Sequence, residues 1–193
     1  GMKLIQTQLV YLLFISVTVV GCRTANTRIE NEKDNVKPVW QNQLPADFAQ
    51  IKKMPLHAAV EQGDIGEIRR LLKGQSSIEE KNQFGATPLQ LATVNGNLPV
   101  VKLLLKSGAN PDGHNFSKQT ALHFAALNGF EKIAEELIKS GAKVNSIDDE
   151  YWTPLDCALW KGKGIIKIES SEKAKVTDLL IRYGGKRGEI HDH

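Results

Sequence analysis

A chain of 193 residues carrying 25 Lys and Arg against 22 Asp and Glu, for a net charge of +3, is long enough for one domain plus a tail. Its charges are interspersed and form no basic stripe, which argues against a nucleic-acid partner. No paired-cysteine motif, His-Glu-x-x-His helix or phosphate-binding glycine loop occurs, so the sequence implies no metal and no cofactor.

The N-terminus differs in kind from the rest. Lys3 precedes an apolar run from Leu9 to Cys22, which fits a secretory signal and is short for a membrane span. The run ends in Val19-Val20-Gly21-Cys22, which resembles the bacterial lipobox. That resemblance implies lipidation at Cys22, removal of the signal peptide in residues 1–21, and Gly1 as a cloning residue before the initiator Met2. Each buried methylene of a lipid chain contributes about 0.8 kcal/mol, so Cys22 would anchor the domain to a membrane. The location expected is the bacterial cell envelope, and Arg23 after the cysteine favours the outer membrane, facing the periplasm. A plain signal peptide with a coincidental cysteine is the alternative.

Residues 22–44 are polar and too poor in apolar side chains to offset the entropy of ordering, so they are expected to be a flexible tether. Trp40 is an exception and could fold back onto the start of the folded domain. From Pro45 to Lys53, Phe48 and Ile51 share one helical face, which predicts a short capping helix.

One phrase then recurs four times at an interval of 33 residues: Met54-Pro-Leu-His-Ala-Ala, Thr87-Pro-Leu-Gln-Leu-Ala, Thr120-Ala-Leu-His-Phe-Ala and Thr153-Pro-Leu-Asp-Cys-Ala. A glycine follows in phase at 63, 96, 129 and 162, then an aliphatic pair such as Leu71-Leu72 or Leu104-Leu105. A period of this length means stacked repeats, and the pattern resembles the ankyrin repeat over residues 50–187. The resemblance implies an all-α solenoid in residues 45–193. Its four helix-turn-helix repeats with hairpin-like loops fall near 50–82, 83–115, 116–148 and 149–187. First helices should start near 55, 88, 121 and 154 and end at the glycines, with Asp64 and Asn97 capping the second helices.

Three departures stand out. Gly74-Gln75 replaces the Ser-Gly of the next two repeats, predicting a distorted loop. The glycine at 85 is matched by Lys52, Lys118 and Tyr151, so the hairpins need not share one turn type. Ten residues are inserted in repeat four near 163–172, expected in the turn between its helices, where insertions can carry function. Gly184 to Gly188 reads as a tail.

For His57 and His123, both in fourth place of the phrase, the resemblance implies hydrogen bonding between loops. Gln90 and Asp156 replace them elsewhere. Cys157 shares an apolar slot with Ala58, Leu91 and Phe124 and reads as a buried thiol. His191 and His193 lie in a terminal stretch expected to fray. No catalytic residue is assigned.

In ankyrin proteins partners contact hairpin tips and the first helices, so the resemblance carries partner binding onto specific positions here. Phe84, Phe116, Trp152 and Trp160 would be aromatic anchors, Val94 and Leu127 apolar neighbours, and Asp149, Glu150 and Lys161 would set the charge. The expected function is non-enzymatic binding of a protein partner by a monomer at the envelope, possible partners being an envelope protein or a toxic effector to be neutralised. The alternative is carbohydrate or peptidoglycan binding, with Asn95, Asn128 and Gln119 beside the rings. An enzyme with a pocket formed by the insertion is the third reading.

Overall fold

Eight helices in four antiparallel pairs account for the regular structure of the computed structural model, which describes residues 54–74, 76–160 and 170–188. The pairs are α1 (Pro55–Gln62) with α2 (Ile65–Lys73), α3 (Pro88–Val94) with α4 (Leu98–Lys106), α5 (Ala121–Leu127) with α6 (Glu131–Lys139), and α7 (Pro154–Leu159) with α8 (Ser170–Arg182). First helices pack on first helices along the stack, and α6 packs on both α4 and α8. No strand occurs among the described residues, only an isolated bridge between His114 and Thr120. The all-α solenoid expected from the repeats is therefore what forms.

The repeated phrase builds its own helix start. Thr87 Oγ1 accepts the Gln90 N–H (3.3 Å) and Gln90 Oε1 accepts the Thr87 N–H (2.9 Å), a reciprocal cap that satisfies two donors a helix start leaves free. Thr120 and Thr153 make the same arrangement with His123 and Asp156. At the other end Gly63, Gly96 and Gly129 take φ of 69, 65 and 69°. Gly96 is required twice over, because a Cβ there would also lie 3.0 Å from the Phe130 ring. Asp64 and Asn97 cap the second helices through the N–H groups of Glu67 and Val100. One core runs through all four pairs, with Leu56, Leu89, Leu122 and Leu155 from first helices and Ile68, Leu104, Leu137 and Leu180 from second helices buried in it.

Two expectations are corrected. The hairpins do share one turn: Gly85, Lys118 and Tyr151 all adopt positive φ, at 74, 57 and 63°. In the loop after α2, Ser76 N–H reaches Leu71 O as Ala109 reaches Leu104 and Ala142 reaches Leu137, and Gln75, on which the expected distortion rests, lies outside the described residues. Gly184 to Gly188 is not a loose tail. Asn145 Nδ2 donates to Gly184 O (3.0 Å), Lys186 N–H to Asn145 Oδ1 (2.6 Å), Arg187 Nε to Asp156 Oδ1 (3.0 Å) and Gly188 N–H to Asp156 Oδ2 (2.7 Å).

The insertion divides. Residues 170–172 belong to α8, which reaches 13 residues where α2, α4 and α6 have 9, so part of the added length extends a helix instead of a turn. The remainder of it, 163–169, lies outside the described residues. So do the signal segment with Cys22, the tether, Trp40, the capping helix at 45–53, Lys161, His191 and His193.

Candidate partner-binding face

The polar residues of the phrase serve the scaffold. His57 Nε2 lies 3.0 Å from Ala86 O, Gln90 Nε2 donates to Gln119 O (2.6 Å), and His123 Nε2 lies 3.0 Å from Trp152 O. Each reaches the carbonyl just before the next repeat's phrase, tying one hairpin to the next. Thr120 N–H and its hydroxyl both approach His123 Nδ1, at 3.1 and 2.9 Å, so the imidazole accepts there and carries its proton on Nε2. In repeat one Met54 replaces threonine, and His57 Nδ1 has no hydrogen-bond partner. Burial lowers the pKa of both histidines, only partly opposed by their carbonyl bonds.

Asp156 cannot donate, and its surroundings are inverted to suit. Burial pushes its carboxyl up, but the Gly188 N–H, Thr153 and Arg187 outweigh this and hold it below the ordinary carboxylate value. Cys157 is buried and its thiol is pushed up by that burial, with Asp148 and Asp156 adding to the effect, the reverse of what a nucleophile needs. Among the described residues no three His, Cys, Asp or Glu side chains converge as metal ligands.

Two further ladders escaped the sequence reading. Asn82, Asn115 and Asp148, buried and 33 residues apart, organise the hairpins. Asn82 Oδ1 accepts from Phe84 and Ala86 N–H, Asn115 Oδ1 from Gln119 N–H, and Asp148 Oδ1 from Glu150 and Trp152 N–H. Glu79, Asp112 and Asn145, at the same interval, accept from the N–H groups of Asn110, Lys143 and Lys186 in the following units. The signal was present, as polar side chains of acceptor type in constant phase.

The tips form a continuous row. Phe116 packs on Gly85, where a Cβ would come within 2.8 Å of its ring and N–H, and Asp149 N–H donates to Ser117 O (3.1 Å). Phe116 is 73% exposed. Asp149 and Glu150 are exposed beside it, and the Glu150 carboxyl is raised by partial burial, Asp148 and Asp149. The other expected contacts are less open. Phe84 is half-buried, Trp152 and Leu127 pack against the core, and Val94 packs with Ala86 and Phe124. Lys173 Nζ sits 5.7 Å from the centre of the Trp160 ring and donates to the Trp160 carbonyl (2.8 Å), so one face of that ring is occupied. Tyr151, 55% exposed, and Ile147, 50% exposed, add apolar surface at the fourth hairpin, and neither was anticipated.

The amides needed to read sugars are largely engaged: Asn128 Nδ2 donates to Phe124 O (2.8 Å) and Gln119 Oε1 accepts from Asn115 Nδ2 (3.2 Å). Comparison with known proteins bears on the family. No curated protein matches the chain. A family model for ankyrin repeats, in three copies, matches residues 33–115 and 109–178. Because that match takes in most of the chain, and four helix pairs with shared caps and hairpins stand where the repeats predict them, the chain belongs to the ankyrin-repeat family.

Proposed function

We propose that this chain captures a protein partner on its row of hairpin tips and the adjoining first helices, held at a bacterial envelope by a lipid on Cys22. Ankyrin repeats are protein-interaction scaffolds and are generally not enzymes, so the open points are which face binds, whom, and where. The observation that carries the binding face is Phe116, 73% exposed on a tip pinned to its neighbours on both sides. A rigid exposed aromatic is the kind of group that anchors interfaces, and burying it contributes about 1.5–3 kcal/mol. A partner such as an envelope protein or a toxic effector would supply that cover.

Affinity capture from native envelope extract tests the face. Phe116→Ala should reduce recovery of the specific partner about tenfold, while an exposed position leaves the melting temperature unchanged. Equal recovery by both proteins would remove Phe116 from the interface. The anchor is tested separately by fractionation: Cys22→Ser should move the protein from the membrane pellet to the soluble fraction and abolish labelling with a fatty-acid analogue, and retained labelling would refute the assignment.

A further inference from the structure

The fourth hairpin is charged in a way its scaffold does not need. Asp148 does the job of Asn82 and Asn115, accepting backbone N–H groups of its own turn (3.0 and 2.8 Å), and a neutral amide oxygen suffices for that job in the earlier hairpins. Asp149 and Glu150 follow directly, both exposed, and no ion pair among the described residues engages either. Mutual repulsion shows in the Glu150 carboxyl, which is raised by partial burial and by both neighbouring acids. The exposed base on the adjoining tip, Lys118, makes no ion pair with them. The bond from Asp149 N–H to Ser117 O sets this acidic turn beside the hairpin whose tip carries the exposed Phe116, the ring of which packs on Gly85.

We infer that the partner docks here through a basic segment, setting Lys or Arg side chains against Asp149 and Glu150 and an apolar side chain against Phe116. The inference rests on the reading of the tips as the binding face and deepens it to a class of partner. Charge complementarity favours a different protein over a second copy, because a two-fold pairing of this tip would oppose like charges. It likewise disfavours nucleic acid and anionic lipid.

The test selects peptides from a random phage-displayed library of about twelve residues on the immobilised full chain in detergent micelles, in three arms: the native protein, Asp149→Lys with Glu150→Lys, and Phe116→Ala. All three substitutions are at exposed positions, and an unchanged helical dichroism spectrum checks the fold. Peptides selected on the native protein should be rich in Lys and Arg beside an apolar residue, and should bind the charge-reversed variant about tenfold more weakly. If reversal leaves affinity unchanged while Phe116→Ala abolishes it, the binding face stands and the basic partner falls. If neither variant changes retention, or nothing is retained above background, both readings fall. A dimer in sedimentation that the reversal dissolves would assign the tip to a second copy and overturn the inference.

Discussion

His123 shows how one side chain couples the fold to pH. Its Nδ1 accepts from Thr120 and its Nε2 donates to the Trp152 carbonyl, so the folded state needs the neutral ring, and burial holds the pKa below the ordinary value of about 6.5. The unfolded chain therefore takes up this proton first as pH falls. Stability from the neutral ring is fully present above about pH 6.5 and is lost below it, toward the lower folded pKa, at no more than about 1.4 kcal/mol per pH unit for one group. Gln90 holds the equivalent carbonyl with an amide that does not titrate. His123→Gln should therefore unfold in urea with a shallower loss of stability between about pH 6.5 and 5, while His57, whose pKa burial also lowers, continues to contribute in the variant and the raised Glu61 and Glu150 carboxyls act in the opposite sense. An unchanged pH slope in the variant would mean that His123 is not a source of the acid sensitivity. The role of these residues was legible from their fixed place in the phrase, whereas the orphaned Nδ1 of His57 became visible only with Met54 placed beside it in the structure.

At the scale of the element, the hairpin is set by its buried Asn or Asp and not by the residue at its bend. Gly85, Lys118 and Tyr151 share one left-handed conformation because Asn82, Asn115 and Asp148 hold equivalent turns from within. A reading that compares bend residues alone sees glycine, lysine and tyrosine and predicts different turns. The constant signal lay three residues upstream. A side chain in the left-handed region costs roughly 1–2 kcal/mol relative to glycine. Tyr151→Gly and Lys118→Gly should therefore each raise stability by about 1 kcal/mol in chemical denaturation, less the extra entropy glycine gains when unfolded. A loss of stability on Tyr151→Gly would instead show that the exposed ring makes contacts worth more than its backbone strain. Because Tyr151 adjoins the acidic turn, the pair also separates folding from recognition: Lys118→Gly tests the backbone alone.

At the scale of the whole molecule, the first and last described repeats depart from the middle two in different ways. In repeat one Glu67 and Arg70 form an exposed pair (2.6 Å) at positions where α4 places the buried Val100 and the half-buried Leu103, so α2 is the more polar of the two helices there. In repeat four Arg187 and Gly188 reach Asp156, at the place where the other repeats receive a hairpin carbonyl. Glu79 and Asp112 each hold a backbone N–H of the next unit, and Asn145 does the same for Lys186, so Gly184 to Lys186 closes repeat four as Gly108 to Asn110 and Gly141 to Lys143 close the two before it. Asp156 replaces the donor of the other repeats because what arrives there is the Gly188 N–H and the Arg187 guanidinium and not a carbonyl. Composition made this segment look like a tail, since glycines and bases without periodicity carry no packing signal; its docking depends on acceptors 32 and 41 residues earlier in the chain. Ending the chain after Tyr183 should leave the buried Asp156 carboxylate short of two donors, at a cost of about 1–3 kcal/mol, or roughly 5 °C in melting temperature. Adding Asp156→Asn to the shortened chain should recover part of that loss, because a neutral amide leaves no buried charge uncompensated. The same substitution in the full chain should destabilise it. If the shortened chain melted with the native one, the docked segment would contribute nothing to the end of the stack.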